Sequence, residues 1–258
     1  MAVQAIVFDA YGTLYDVQSV AALTEREFAG DGELITQLWR LKQLEYSWLR
    51  SLMGSHADFW TVTRDALLYT LDCLGLAPDD AVVDRLLQKY LSLDLYPDAK
   101  DALAALSGYR LAILSNGSQA MLDALVRDSG LDTVLDATIS IDSRQVFKPS
   151  PAVYTLIEER LGVQPRDVLF VTSNGFDACG ARNFGLEVAW IERVSAGALR
   201  QEIRSAAPVG PRSMFKALRQ RPERLGCRPD HVIASLAELP ALLARAPRTG
   251  HAAQASAE

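Results

Sequence analysis

Four consecutive apolar residues, Ala5-Ile-Val-Phe8, run straight into a carboxylate, Asp9, and this junction constrains the fold more than any other feature of the chain. A short, partly β-branched apolar run reads as a parallel strand buried on both faces. Further runs at 109–114, 138–141, 167–171 and 186–191, with a weaker one at 231–233, alternate with stretches of helical character. Strand, crossover and strand in this rhythm imply right-handed connections and an α/β fold, a doubly wound Rossmann-like parallel sheet. Ligands of such sheets sit beyond the carboxyl ends of the strands. Asp9 therefore stands where a sheet of this kind does its chemistry, although an Asp capping the next turn, with Gly12 and Thr13 after it, would look the same in isolation.

Between the first two strands the period changes. Leu34, Ile35, Leu38, Leu41, Leu44, Trp48 and Leu52 recur at three- and four-residue spacings, which predicts an amphipathic helix over 33–53. Helices near 18–29, 56–75 and 80–94 complete a helical-bundle cap of four helices inserted after the first strand. The expected organisation is an α/β core of 1–15 and 98–245, a cap of 16–97 and a flexible tail of 246–258. Within the core, the arginine-rich stretch near 194–228, broken by Pro208-Val-Gly-Pro211, reads as a helical excursion that covers the core or a subunit interface.

Several function classes are excluded early. A net charge of −6 lacks the basic footprint that nucleic acid requires. No stretch approaches the roughly 18 apolar residues of a membrane span, and the amino terminus enters a strand without the pattern of a signal peptide. Cys73, Cys179 and Cys227 are odd in number and far apart, so neither a disulfide framework nor a zinc site is indicated, and a cytoplasmic protein is expected.

The later strand ends carry Ser115-Asn116, then Lys148 after a loop, then Ser173-Asn174 with Asp177. Each alone has a bland reading: Lys148 as a solvated loop lysine, Ser115 or Asn174 as a helix cap. Together at one edge they point to a functional crevice. His56, His231 and His251 lie away from the strand ends, and no P-loop or GxGxxG appears. The strongest nucleophile left is the Asp9 carboxylate, which a neighbouring lysine would keep ionised.

Phe8-Asp-Ala-Tyr-Gly-Thr-Leu14, Leu114-Ser-Asn-Gly117, Phe147-Lys-Pro149 and Ser173-Asn-Gly-Phe-Asp177, with Trp39-Arg-Leu-Lys-Gln-Leu-Glu-Tyr-Ser-Trp48 in the cap, resemble the haloacid dehalogenase superfamily and, within it, its L-2-haloacid dehalogenase branch. The resemblance extends to about residue 245. It implies hydrolysis of short L-2-haloalkanoic acids to D-2-hydroxy acids and halide, without metal or other cofactor. Asp9 would attack the α-carbon, and water would then cleave the resulting ester. Lys148 would support Asp9, Thr13 orient it, and Asn174 and Asp177 position and deprotonate the water, with Ser173 and Tyr154 backing the network. Ser115 and amides near Tyr11 would receive the substrate carboxylate. Arg40, Asn116 and Phe176 would receive the halide, with Tyr11, Leu44 and Phe59 as the apolar wall. Blandly, Arg40 is a snorkelling arginine on the cap helix. Thr172 stands where relatives commonly carry a serine of the site. A halogenated carboxylic acid and halide are thus the expected partners, and the expected assembly is a homodimer.

Two alternatives stand beside this reading: a Mg-dependent phosphatase of the same superfamily, and a non-catalytic binding protein on the same fold. Such phosphatases carry a second Asp at the position of Tyr11 and an acidic ligand after the fourth strand. Here the first is absent, and Ser173-Asn174 occupies the place of the second, leaving Asp177 alone.

Overall fold

The computed structural model describes residues 3–206 and 208–245. Its strands are β1 (Ala5–Phe8), β2 (Arg110–Ser115), β3 (Ala137–Ser140), β4 (Val168–Thr172), β5 (Glu187–Ile191) and β6 (His231–Ile233). They form one sheet in the order β3-β2-β1-β4-β5-β6, and every pairing is parallel. All four residues of β1 are fully buried. Burying a Val, Ile or Phe side chain contributes about 1.5–3 kcal/mol, so an apolar run of this kind is driven to the centre of the sheet. Phe8 lies level with Ile113 on one side and Val171 on the other. Asp9, Ser115 and Thr172 consequently end up at one edge.

Between β1 and β2 no further strand of the sheet intervenes, and the regular elements there are helices. A 3-10 turn (Val17–Val20) leads into α1 (Ala21–Glu27), α2 (Gly32–Met53), α3 (Phe59–Cys73) and α4 (Asp80–Lys89). Asp58 and Asp79 cap α3 and α4 by accepting from Thr61 and Val82 amides. The helix expected over 80–94 stops at Lys89, because the chain there turns back to pair with its own entrance. Tyr96 N donates to Leu14 O at 2.9 Å and Asp16 N to Asp94 O at 2.8 Å. Entry and exit of the insert thus form one narrow neck.

The remaining helices are α5 (Ala99–Ala105), α6 (Gln119–Ser129), α7 (Pro151–Leu161), α8 (Gly175–Phe184), α9 (Ala196–Ser205), α10 (Pro211–Arg219) and α11 (Leu239–Arg245). Helix α5 has no counterpart in the sequence reading, since its seven residues are too few for a period to show. The arginine-rich excursion is helical, being α9 and α10, and α10 packs against α2. After α10 the chain passes over the start of α8: a side chain at Gly175 would bring its Cβ within 2.4 Å of the Arg221 carbonyl. Among the described residues no helix is long and apolar enough to cross a membrane. The tail expected at 246–258 lies outside the described residues.

Candidate active site

Asp9 is 5 % exposed and continues the ladder of β1, its amide donating to Val171 O at 2.9 Å. Its carboxylate is held from two sides. Lys148 Nζ donates to Oδ1 at 3.1 Å; Asn174 Nδ2 and Thr13 Oγ1 donate to Oδ2 at 2.7 and 3.2 Å. Each carboxylate oxygen can accept two hydrogen bonds. Oδ2 is therefore full, while Oδ1 keeps one lone pair for a reacting atom.

Lys148 is the least lysine-like residue of the chain in its surroundings, being 1 % exposed. Besides Asp9 it donates to Leu114 O at 2.7 Å and to Asp177 Oδ2 at 2.9 Å, so the solvated-loop reading fails. Burial works against its charge, yet Asp177 and Asp9 outweigh that and hold it above the ordinary lysine value. Asp177, wholly buried, receives Tyr154 Oη at 2.7 Å on its other oxygen. Burial pushes its carboxyl up to about 6; Lys148 opposes the rise and Asp9 adds to it. Burial likewise holds the Tyr154 hydroxyl far above the usual phenol range.

The fourth strand end decides between cap and ligand. Asn174 is the N-cap residue of α8, yet its side chain makes no capping bond. Its amide serves Asp9 and Tyr11 O instead, the latter at 3.0 Å. Thr172 Oγ1 accepts from Asn174 N at 3.1 Å. Thr172 thus shapes the turn that presents Asn174, and its hydroxyl is not bonded to Asp9. Ser173 N donates to Thr13 Oγ1 at 2.9 Å and Ser173 Oγ to Gly12 O at 2.7 Å, which fixes the loop after β1. Ser115 Oγ accepts from Gly117 N at 3.1 Å and keeps its own proton to donate. Asn116 accepts from Lys148 N at 2.9 Å through its oxygen, leaving its amide hydrogens free of that bond.

Facing this edge is the insert. Arg40 is only 4 % exposed, so it is not a snorkelling surface arginine. Its guanidinium carbon lies 5.9 Å from the centre of the Tyr11 ring. That ring packs against Phe59 at 5.5 Å, and the Tyr11 hydroxyl is buried with no hydrogen-bond partner. Tyr11 fills the position of a possible second carboxylate with an aromatic wall. Leu44, one turn beyond Arg40 on α2, is buried as well. Phe176 meets Trp48 edge-on at 5.2 Å.

Four contributors escaped the sequence reading. Tyr90 stacks near Tyr11 and Trp39. Gln43 accepts from Arg40. Arg193 donates to Thr13 O at 2.7 Å while paired with Asp98. Arg219, from α10, lies 5.0 Å from the Trp48 ring and 5.8 Å from that of Phe176. It lines an apolar cleft of about 610 Å³ that also touches Phe147, Lys148 and Leu225. None left a signal in the sequence: Gln43 lies outside the apolar spacing of 33–53, on the face that only the fold buries, and the others are joined to the site by long-range contacts.

A six-stranded parallel sheet with an aspartate ending its central strand, a buried lysine beside that aspartate and a helical insert after it defines a hydrolase class. The model of the haloacid dehalogenase-like hydrolase family matches residues 3–185, and the chain belongs to that family. Among curated relatives it is 56 % identical to a (S)-2-haloacid dehalogenase of Xanthobacter autotrophicus over 241 residues, 93 % of this chain and 95 % of the relative. It is 42 % identical to another of that name from Pseudomonas fluorescens over 239 residues, 92 % and 95 % of the two chains. The solved L-2-haloacid dehalogenase of X. autotrophicus with chloropropionic acid covalently bound superposes with a TM-score of 0.92 at 54 % identity, over 95 % of this chain and all of that one.

Proposed function

We propose that the chain is a (S)-2-haloacid dehalogenase that converts short L-2-haloalkanoic acids and water into D-2-hydroxy acids and halide through an ester of Asp9. The observation that carries this reading is the Asp9 carboxylate, with one oxygen saturated by Thr13 and Asn174 and the other open beside Lys148. The bound chloropropionic acid of the X. autotrophicus relative supports the covalent route.

In the first step an Oδ1 lone pair forms the bond to the α-carbon, and the carbon-halogen pair leaves as halide. Ser115 and amides of the loop after β1 hold the substrate carboxylate. Arg40, with Asn116 and Phe176, receives the halide in a dry pocket where charge is strongly felt. In the second step water adds to the Asp9 carbonyl carbon. Negative charge then gathers on Oδ2, which already faces Thr13 and Asn174 donors. Asp177 takes one water proton. As the adduct collapses, the bond from the carbonyl carbon to Oδ1 breaks and the remaining water proton passes to the departing oxygen. The hydroxy acid leaves, with Asp9 restored as a carboxylate that carries the water oxygen.

Residues 16–97 serve as a cap hinged at the neck by Tyr15 and Leu95, closing over the substrate. Tyr11 and Asn174 oppose the phosphatase alternative, because they remove two carboxylates that a magnesium ion would use. Free cysteines suit a reducing cytoplasm. Exposed Leu52, Met53 and Leu218 near the contact of α2 with α10 support a homodimer; sedimentation equilibrium giving a monomer at working concentration would rule it out.

Two results test the chemistry. L-2-chloropropionate releases chloride at the same rate with and without EDTA, and chiral chromatography finds D-lactate, since the carbon inverts once and the ester is cleaved at the carbonyl. L-lactate, equal rates for both enantiomers, or loss of activity in EDTA restored by Mg²⁺ would sink the reading. The pH profile tests Asp177. Its carboxyl titrates at about 6, so it accepts a proton from water only above that pH. Single-turnover ester hydrolysis therefore falls off below about pH 6, while alkylation of Asp9 falls less. An acid limb confined to the alkylation step would remove Asp177 as the base.

A further inference from the structure

Arg40 does not stand alone in the interior of the insert. Its Nη1 donates to Gln43 Oε1. Gln43 Nε2 donates to Thr63 Oγ1 at 2.6 Å, and Thr63 Oγ1 donates onward to Phe59 O at 2.6 Å. The Thr63 carbonyl accepts the Trp39 indole at 2.8 Å. Gln43 and Thr63 are fully buried. The chain of bonds has one direction only. A guanidinium has no acceptor, so Gln43 must turn its oxygen to Arg40 and its amide to Thr63, whose hydroxyl proton is then committed to Phe59.

We infer that Gln43 is a positioning residue that aims the Arg40 guanidinium at the departing halide and ties it, through Thr63, to the backbone of α3 at Phe59. This rests on the dehalogenase reading above. Arginine has a long, flexible side chain, and ordering it at the moment of reaction costs entropy. A neutral acceptor removes that cost without cancelling the charge on which halide stabilisation depends. A carboxylate at the same place would hold the fork equally well but neutralise it. Glutamine is the residue that does one without the other, and the direction of the bonds to Thr63 gives it a fixed orientation.

The consequence is a sensitivity to leaving group. Chloride is a poorer leaving group than iodide and depends more on a well-aimed cation. Gln43→Met keeps the volume and removes the tether; Gln43→Glu keeps the shape and the acceptor but adds a charge. Alkylation of Asp9 is followed as the single-turnover halide burst from 2-chloro- and 2-iodopropionate, with added bromide as a competitive probe of the halide site. Wild-type bursts with both substrates establish the underlying reading; their absence would refute that reading rather than the role of Gln43. Given those bursts, both variants slow the chloro substrate roughly 10- to 100-fold and the iodo substrate no more than about 3-fold, and bromide inhibits each more weakly. Equal slowing of both substrates with bromide inhibition unchanged, in variants whose circular dichroism matches wild type, would overturn the assignment. The near-isosteric Gln43→Glu keeps the test open if Gln43→Met does not fold.

Discussion

Asn in place of Asp9 lowers halide release from L-2-chloropropionate by at least about four orders of magnitude, comparable to losing the nucleophile in other covalent enzymes. The amide keeps the shape of the carboxylate and loses the charge and the open Oδ1 lone pair that begin the displacement. The Lys148 contact is lost in addition: at 3.1 Å the ammonium needs an acceptor, and an amide can offer one only by turning its NH₂ toward the Thr13 and Asn174 donors. Mass spectrometry of wild type quenched during turnover finds an adduct on the peptide carrying Asp9, and Asp9→Asn shows none. In single turnover in H₂¹⁸O the label enters the Asp9 carboxylate before it reaches product. Direct appearance of label in the hydroxy acid would mean that water attacks the α-carbon, and the ester would have to be abandoned.

Lys148→Met has the second largest effect, and it acts on stability as well as rate. The ammonium lies between two buried carboxylates, 3.1 Å from Asp9 and 2.9 Å from Asp177. Removing one partner of a buried ionic cluster costs about 3–5 kcal/mol, because the charges left behind are neither solvated nor paired. Asp177 then loses its cation and keeps only the Tyr154 hydrogen bond to oppose burial, so its carboxyl rises further above its ordinary value. A raised folded-state value stabilises the fold at low pH and loses that contribution as the pH climbs through it. The deficit of Lys148→Met in urea denaturation is thus fully present above the variant's raised value and shrinks as the pH falls from there toward about 6, where wild-type Asp177 takes up its proton too. Activity falls by roughly 10²- to 10⁴-fold, of the order seen when one preorganised electrostatic group is lost. A variant as stable as wild type at pH 7 would show that the cluster is not held by charge.

How far the sequence could be read depended on the range of the interactions involved. The strands declared themselves through local composition, and the helices of the insert through their spacing, yet on α2 that spacing named the wrong face. Leu34 and Leu52 are exposed while Thr36, Gln37, Arg40, Gln43 and Ser47 are buried, because the face that packs against α3 is set by polar contacts the period does not show. The identity of Asp9 as the end of the first strand was equally local. The boundaries slipped where a distant contact intervened: the helix expected to reach residue 94 ends at Lys89 because the chain pairs with Leu14 and Asp16 at the neck.

The chemistry of the individual polar residues was open in the sequence and was decided by tertiary structure. Lys148 is separated from Asp9 by 139 residues, and only the adjacency of β1 and β2 with the loop after β3 turns an apparent surface lysine into a buried counter-charge. Asn174 stands at a helix start, where capping is the ordinary expectation; it serves Asp9 because β4 lies beside β1 and brings the carboxylate within 2.7 Å. Arg40 and Gln43 lie on a face of α2 that the apolar spacing did not mark, and the other end of the Gln43 amide is held by Thr63 on the neighbouring helix. Local sequence determines which backbone states and faces are favourable. Whether a polar side chain there caps, solvates or reacts depends on what the fold brings against it once water has been excluded.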